Sequence, residues 1–223
     1  MSGKSKIVTH QRRSAGLTKS QRVFLDLRDK ILSGRIGPDA RLTLRPLAQE
    51  YGTGINAVSE AVKALAAEGL VELEGQAGAR VIARDLIRIR GEYILRMAIE
   101  CETARRCAEF ADDGQLSILK GMAAKVDRLF AEGDQLVDCR RADVQFHLAI
   151  AEFSGAVQLK EALVPLLDRL VALDQTELPT DEFPGQKHQE VFAGLESRNP
   201  LNAYNVMRQH LEHSMNLSLA LLY

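Results

Sequence analysis

The sequence predicts a mainly α-helical protein, in which a small N-terminal domain of three helices and a β hairpin precedes an all-α antiparallel bundle. Helical periodicity covers most of the 223 residues, and two short strand-like runs lie between residues 70 and 82. The charge also changes sign along the chain: residues 1–85 carry a net charge of +5 and residues 86–223 carry −6. This asymmetry suggests two roles, with the basic part near a polyanion, although a basic tail without a partner gives the same pattern.

The bulk composition is that of an ordinary globular protein, with 46% hydrophobic and 26% charged residues. No apolar run approaches the roughly 20 residues of a membrane-spanning helix. The basic, polar N-terminus lacks the apolar core of a signal peptide. We therefore expect a cytoplasmic protein with no membrane partner. Its cysteines, Cys101, Cys107 and Cys139, form no CxxC pair and are expected to be buried, reduced thiols.

The first elements follow from apolar spacing. Residues 1–17 lack periodicity and are expected to form a flexible basic arm. A helix then begins near Thr18, where Thr18 or Ser20 can cap it, and ends at Gly34. Its apolar stripe comprises Val23, Phe24, Leu27 and Ile31. The following "RIGPDARLT" indicates a Gly/Pro turn rather than a regular element.

Two more helices and a hairpin complete this domain. "LRPLAQEYG" predicts a short helix that stops at Gly52, with Leu44, Leu47 and Ala48 facing inward. "GINAVSEAVKALAAEG" predicts a third helix, with Val58, Ala61, Val62 and Leu65 on its buried stripe. The apolar runs 70–73 and 81–82 flank a Gly-containing connection, as in a hairpin. This order is that of a winged helix-turn-helix, whose third helix enters the DNA major groove.

Residues 20–83 resemble the DNA-binding domain of the GntR family of bacterial transcriptional regulators. The resemblance rests on "LRDKILSGRI", "RLTLRPLAQEYG", "AVSEAVKALAAEGLVEL" and "GARVIA". It implies that Arg45, at the start of the second helix, and Lys63, on the third helix, contact DNA. Arg41, Arg80 and the basic arm are further candidates for phosphate contacts. We therefore predict that residues 18–84 bind a double-stranded DNA operator.

The recognition helix departs from the family pattern. The usual run is Ser-Arg-Thr-Pro-Val-Arg-Glu-Ala-Leu, whereas this chain has "GINAVSEAV" at 54–62, so Ile55 and Ser59 replace both arginines. Each lost Arg–guanine contact removes roughly 1–3 kcal/mol of discrimination. In one interpretation Asn56 reads adenine and Ile55 meets a thymine methyl; in the other, DNA binding is weak or lost. Asn56 can alternatively bond to local backbone at the helix start.

Residues 86–222 read as helices throughout, and residues 85–223 are predicted to form the antiparallel bundle. The apolar positions expected on its first helix are Ile94, Met97, Ala98, Cys101, Ala104 and Ala108. Those expected on its second helix are Leu116, Leu119, Met122, Ala123, Val126 and Leu129. Breaks between helices are expected at Gly114, Gly133, Gly155, Pro179/Pro184 and Asn199-Pro200. Pro165 is expected to kink or split the helix that contains it.

Four metal-ligand residue types lie within the predicted bundle. Asp143 and His147 are four residues apart and share one helical face, while His188 and His210 lie on later helices. Apolar neighbours at helical spacing indicate that all four face inward. Three imidazoles and a carboxylate suit Zn²⁺, and also Ni, Mn or Fe, with positions left for water or an anion. By spacing alone, separate hydrogen-bonded histidines remain the default alternative.

The whole bundle resembles the ligand-binding domain of the FadR subgroup of GntR regulators, through "RMAIE", "ADVQFHLAIAEFSG" and "HQEVFAGLESRNPLNAYNVMRQHL". Many such domains hold a divalent metal through one Asp and three His, and Asp143, His147, His188 and His210 match those positions in order. The resemblance also implies a small carboxylate effector. Arg96 is expected to bind it, or instead to pair with Glu100. His213 is expected at the surface or behind the ligands.

Catalytic motifs are lacking. The sequence has no HExxH, no nucleophile set beside a base, and no P-loop Lys-Ser/Thr in "GQAGAR". We therefore expect a homodimeric, metabolite-responsive transcriptional regulator, most simply a repressor, and not an enzyme. The alternative is a metal- and ligand-binding sensor whose DNA-reading head is weakened or lost.

Overall fold

The computed structural model describes residues 16–75, 78–82, 86–132, 136–173 and 187–220. Nearly all of the expected N-terminal arm lies outside these ranges, as do Gly133 and the break at Pro179/Pro184. The N-terminal elements are α1 Lys19–Leu32, β1 Arg41–Thr43, α2 Leu44–Glu50, α3 Ile55–Ala67, β2 Val71–Leu73 and β3 Gly78–Val81. The bundle comprises α4 Leu86–Phe110, α5 Asp113–Glu132, α6 Leu136–Phe153, α7 Val157–Leu173, α8 His188–Glu196 and α9 Pro200–Ala220.

Local sequence signals set the three helices of the head, residues 18–82. The Thr18 hydroxyl accepts from the Gln21 amide at 3.1 Å, and the Thr18 amide donates to the Gln21 side chain at 2.8 Å. This reciprocal capping box starts α1, because it satisfies amides that have no partner within the helix. The buried residues of α1 are Val23, Leu27 and Ile31, and those of α3 are Val58, Ala61, Val62 and Leu65. The predicted stripes of both helices are confirmed, except that Phe24 is only partly buried.

The wing contains a strand that the sequence did not predict. The three strands are antiparallel in the order β1-β3-β2, and Arg41 and Thr43 pair with Arg80 and Gly78. The interpretation of residues 35–43 as a turn was therefore wrong for 41–43. A strand of three residues, with only Leu42 buried, is too short to show the alternation by which strands are recognised.

The long helices of the bundle enclose two apolar clusters, one formed by α4, α5, α6, α8 and α9 and the other mainly by α4 and α7. α4 packs along α9, while α5 lies against α6 and α8. Within the described part of 86–220, every regular element is a helix. All three cysteines are buried free thiols, as expected. No described helix has the length and apolar character that crossing a bilayer requires.

The predicted apolar stripe of α4 was wrong at two positions. Ile94 is 57% exposed, and Ala98 is also exposed, because the inward face of α4 is rotated toward Arg96 and Glu100. Charged residues are normally assigned to the exposed face of a helix. Because Arg96 and Glu100 are buried, the apolar spacing of α4 predicted the wrong inward face. Pro165 does not split its helix, since α7 runs unbroken from Val157 to Leu173. Buried leucines at 163, 166 and 167 hold α7 on both sides of the proline.

The head is attached to the bundle through α7. Arg28 on α1 binds Glu68 at 2.9 Å and also forms an ion pair with Asp168 on α7. Ala172, four residues further along α7, is packed into the apolar core of the head. α7 is therefore a shared wall between the two parts of the chain.

The pairing of β1 with β3 requires glycine at position 78. Gly78 has φ +145°, and a Cβ there would lie 1.9 Å from the carbonyl oxygen of Leu42. We predict that Gly78→Ala lowers the free energy of unfolding of the head by at least about 2 kcal/mol. Urea unfolding followed by circular dichroism measures it.

Gly75→Ala is the matched control, because Gly75 lies in the same hairpin at φ +61° with open space around it. This control carries the cost of positive φ without the clash. If the two variants lose equal stability, the clash with β1 does not govern the wing.

Candidate functional site

The structure brings the four predicted metal-ligand residues together. Asp143 and His147 project from α6, His188 is the first residue of α8, and His210 lies midway along α9. One potential ligand atom from each lies within 4.8 Å of all the others. Ligands on opposite sides of an ion at about 2.1 Å are about 4.2 Å apart, so a small contraction suffices to hold one ion. The three histidines are buried, and the Asp143 side chain is 25% exposed.

Asp127 on α5 fixes the position of His188. Its carboxylate accepts hydrogen bonds from the backbone amides of His188 at 2.9 Å and Gln189 at 3.1 Å, and so caps the start of α8. The same carboxylate lies 2.9 Å from Nδ1 of the His188 ring. The opposite nitrogen, Nε2, therefore points toward Asp143, at 2.7 Å from Oδ1. Sequence analysis missed Asp127, because only the packing of α5 against α8 makes it a partner of His188.

Glu100 on α4 lies against the ring of His147. It is 1% exposed, and its two oxygens contact Arg96 Nε and His147 Nδ1. The expected Arg96–Glu100 ion pair is thus present, while the contact with His147 was not foreseen. The Nη2 atom of Arg96 is buried and has no hydrogen-bond partner among the described residues. A carboxylate or carbonyl oxygen of a ligand can satisfy it.

The protonation states differ across the cluster. Burial together with the nearby charges of His188 and His147 holds the pKa of His210 well below its ordinary value, so this ring is neutral. Burial alone would raise the pKa of Asp143, but His147 and His188 outweigh it and hold that pKa well below the usual range. Burial would also lower the pKa of His188, yet hydrogen bonds to Asp127 and Asp143 raise it to about 9. The site thus contains an ionised carboxylate and a neutral imidazole, which are the ligand forms that metals require.

A cavity of about 190 Å³ opens onto the cluster between α4, α5, α6, α7, α8 and α9. Arg96, Asp143, His188 and His210 lie on its wall. His213, expected at the surface or behind the ligands, instead lines the cavity one turn beyond His210. Its Nε2 atom is buried without a hydrogen-bond partner in the described part of the chain. The cluster therefore faces a space that can admit a small molecule.

Most of the candidate DNA-contacting residues are exposed on the surface of the head. Those exposed on β1, α2 and α3 are Arg41, Arg45, Ile55, Asn56 and Lys63, and Ser59 is half-buried. Asn56, Arg45 and Lys63 make no side-chain hydrogen bond or ion pair with any described residue. The alternative of a local backbone bond by Asn56 is therefore not found there. Arg41 and Arg80, in contrast, pair with Glu74 at 3.5 and 2.7 Å.

The raised pKa of His188 predicts a pH-dependent stability of the metal-free protein. Its folded-state pKa of about 9 exceeds the ordinary 6.5, so the charged ring stabilises the fold fully below about pH 6.5. This contribution is lost as pH rises through about 9. Urea unfolding between pH 6 and 10, with a chelator present, measures this change in the free energy of unfolding.

His188→Gln is the reference variant, because it removes the titrating ring and leaves the other groups that ionise near pH 9. The difference in stability between wild type and this variant should shrink as pH rises. A difference that stays constant with pH would contradict the assigned charge of His188.

Comparison with known proteins gives the same two parts. The FCD domain family matches residues 93–213, and the family of bacterial regulatory proteins named gntR matches residues 19–81. The HTH-type transcriptional repressor RspR of Escherichia coli K12 is 27% identical over 196 residues, covering 86% of each chain. The HTH-type transcriptional repressor NanR of Klebsiella aerogenes is 28% identical over 217 residues, covering 86% of this chain and 82% of NanR. These families and relatives are DNA-binding regulators and not enzymes, as the sequence predicted.

Solved structures share the fold. E. coli McbR/YncC superposes with a TM-score of 0.71 at 17% identity, covering 93% of this chain and all of the other. A GntR transcriptional regulator from Rhodococcus sp. RHA1 also gives 0.71, at 24% identity, covering 92% and 99%. The predicted fold class and family resemblance are confirmed. The FCD domain match covers more than half of the chain and the gntR match covers the head, so the protein belongs to the GntR family of bacterial transcriptional regulators, with an FCD domain at its C-terminal side.

Proposed function

We propose that this regulator is a homodimeric repressor that senses a small carboxylate at a metal centre in its bundle. In this proposal residues 18–84 are the DNA-binding domain, residues 85–223 are the sensing domain, and residues 1–17 add phosphate contacts. The observation that carries the proposal is the buried Asp/His cluster beside the unsatisfied Nη2 of Arg96, on one cavity.

Asp143, His147, His188 and His210 would hold the metal. The donor set suits Zn²⁺, and Ni, Mn or Fe share its preference for imidazole and carboxylate. When bound, the ion supplies a positive centre with coordination positions for an anionic ligand. Asp127 and Glu100 support the site, because each binds the Nδ1 side of a histidine and leaves Nε2 toward the cluster.

Arg96 would bind the carboxylate of the effector together with the metal. Its guanidinium is held by Glu100 through Nε, which leaves Nη2 for a ligand in the cavity. A charge-assisted hydrogen bond in this buried position is stronger than one at the surface. In this proposal, the pairing with Glu100 orients the Arg96 guanidinium for the carboxylate of the effector.

α7 supplies a route from the cavity to the head. Leu167 and Leu170 line the cavity, while Asp168 and Ala172 contact the head. A ligand that displaces α7 would therefore change the position of the head relative to the bundle. By linkage, it alters operator affinity only if it binds the DNA-competent and incompetent arrangements unequally.

The DNA-binding surface favours an operator rich in A·T pairs. Ile55 and Asn56 are exposed at the N-terminal end of α3, where helices of this kind meet base edges. An asparagine side chain pairs with adenine, and an apolar side chain packs on the thymine methyl. Arg45 and Lys63 supply cations for phosphate. The second candidate, a sensor with a silent head, is favoured by the absence of arginine at positions 55 and 59.

The metal centre predicts one bound divalent ion per chain in purified protein, measured by elemental analysis. We expect His147→Ala and His188→Ala to lose the ion, because each removes one of four ligands. Chelated wild type should regain stability with Zn²⁺, by about 2.7 kcal/mol at 100 times its Kd.

His213→Ala is the control, since His213 lines the same cavity outside the ligand set. It should retain the ion. The absence of metal, together with no thermal shift on adding Zn²⁺, would contradict the metal centre.

The DNA-binding surface predicts that fluorescence anisotropy detects tighter binding to the upstream region of the gene than to random DNA. Lys63→Ala should weaken binding to all sequences and lower the salt slope by about 1, because it removes one phosphate contact. Asn56→Ala should instead reduce discrimination by about 1–3 kcal/mol at A·T positions.

Lys120→Ala is the matched control, because Lys120 is an exposed lysine on α5 of the bundle. It should leave DNA binding unchanged. Equal affinity for upstream and random DNA at modest salt would support the sensor with a silent head instead.

A further inference from the structure

The wing of the head holds one carboxylate beside two arginines. Arg41 on β1 and Arg80 on β3 lie opposite each other in the sheet. Glu74 directly follows β2, and its backbone amide donates to the carbonyl oxygen of Gly78 at 2.9 Å. The hairpin therefore fixes the backbone of Glu74 next to the strand that carries Arg80.

The carboxylate of Glu74 contacts both arginines. Its Oε1 atom accepts a hydrogen bond from Arg80 Nε at 2.8 Å and lies 2.7 Å from Arg80 Nη2. Its Oε2 atom lies 3.5 Å from Arg41 Nε. The third guanidinium nitrogen of Arg80, Nη1, donates to the backbone carbonyl of Asp39 at 3.2 Å. All three nitrogens of Arg80 are thus engaged within the head.

These side chains nevertheless remain within reach of solvent. Those of Glu74 and Arg80 are 35% and 32% exposed, and that of Arg41 is 69% exposed. A DNA phosphate can therefore approach them. It meets two guanidinium groups whose positive charge is partly cancelled by the carboxylate between them, whereas Arg45 and Lys63 make no such ion pair with any described residue.

We infer that Glu74 restrains the phosphate binding of the wing and is in this way a specificity-determining residue of the DNA-binding surface. The inference rests on the proposed function, in which the head binds duplex DNA. A phosphate that approaches Arg80 must compete with Glu74 for the same guanidinium nitrogens. Phosphate contacts carry no sequence information, whereas the contacts of α3 with bases do. Weaker phosphate contacts leave a larger share of the binding free energy to base recognition.

The salt dependence of binding to a random-sequence duplex tests this inference, measured on the full chain by fluorescence anisotropy. Glu74→Gln removes the charge, keeps the shape of the side chain and makes Arg41 and Arg80 available to phosphate. The plot of log K against log salt should steepen by about 1–2, which corresponds to one or two added phosphate contacts. Binding at low salt should tighten at least about five-fold, the effect of one close pair of opposite charges in water.

A double-mutant cycle separates the release of the arginines from a general change of charge. In an Arg41→Ala/Arg80→Ala background, Glu74→Gln has no arginine to release. The substitution should then change the salt slope by less than about 0.5, although it removes the same charge from the same position.

Glu72→Gln is the matched control on the same hairpin. Glu72 binds Arg88 of α4 at 2.8 Å rather than an arginine of the sheet. Its substitution removes one negative charge from the wing without releasing Arg41 or Arg80. The salt slope should stay within about 0.5 of the wild-type value.

The outcomes separate this inference from the proposed function. An unchanged slope in Glu74→Gln overturns the inference, while DNA binding by the head stands. The same holds if Glu72→Gln steepens the slope equally, or if Glu74→Gln does so in the Arg41→Ala/Arg80→Ala background. If neither wild type nor Glu74→Gln binds duplex DNA, the proposed DNA binding is overturned and the inference with it.

Discussion

The Asp127 carboxylate is the constraint on which the candidate site depends. It caps α8 through two backbone amides and binds the Nδ1 side of His188, so the start of the helix and the orientation of the ring are set together. Glu100 on α4 contacts the Nδ1 side of the His147 ring. Because both carboxylates are supplied by neighbouring helices, the bundle as a whole positions the cluster. Histidine side chains held in this way lose little freedom when they meet an ion.

α7 gives the cluster its connection to the head. Leu167 and Leu170 of this helix line the cavity, whereas Asp168 and Ala172 contact the head. Ion pairs and packing of this kind hold two parts of a chain in one arrangement until a ligand favours another. The proposed regulation therefore needs only one element to transmit the effect of the ligand, since α7 contacts both the cavity and the head.

Much of the architecture was predictable from local signals. Short-range spacing predicted the cap at Thr18, the stripes of α1 and α3, and the helices in the described part of 86–220. The four members of the metal-ligand cluster could be chosen by resemblance, and packing then brought them together. Asp127 and Glu100 could not be assigned to the histidines, because their partners are distant in sequence. The predictions for the inward face of α4 and for the three-residue β1 were wrong for a related reason. Hydrophobic periodicity detects neither buried ion pairs nor very short strands.

The central claim is that carboxylates behind the histidines preorganise the cluster to bind a metal ion. Its most direct test is the Zn²⁺ affinity of Asp127→Asn, measured by competition with a chromophoric chelator. Asp138→Asn on exposed α6 surface serves as the control. We predict that Asp127→Asn binds Zn²⁺ about 10–100-fold more weakly than wild type while the control is unchanged. Equal affinity in wild type and Asp127→Asn would contradict the claim.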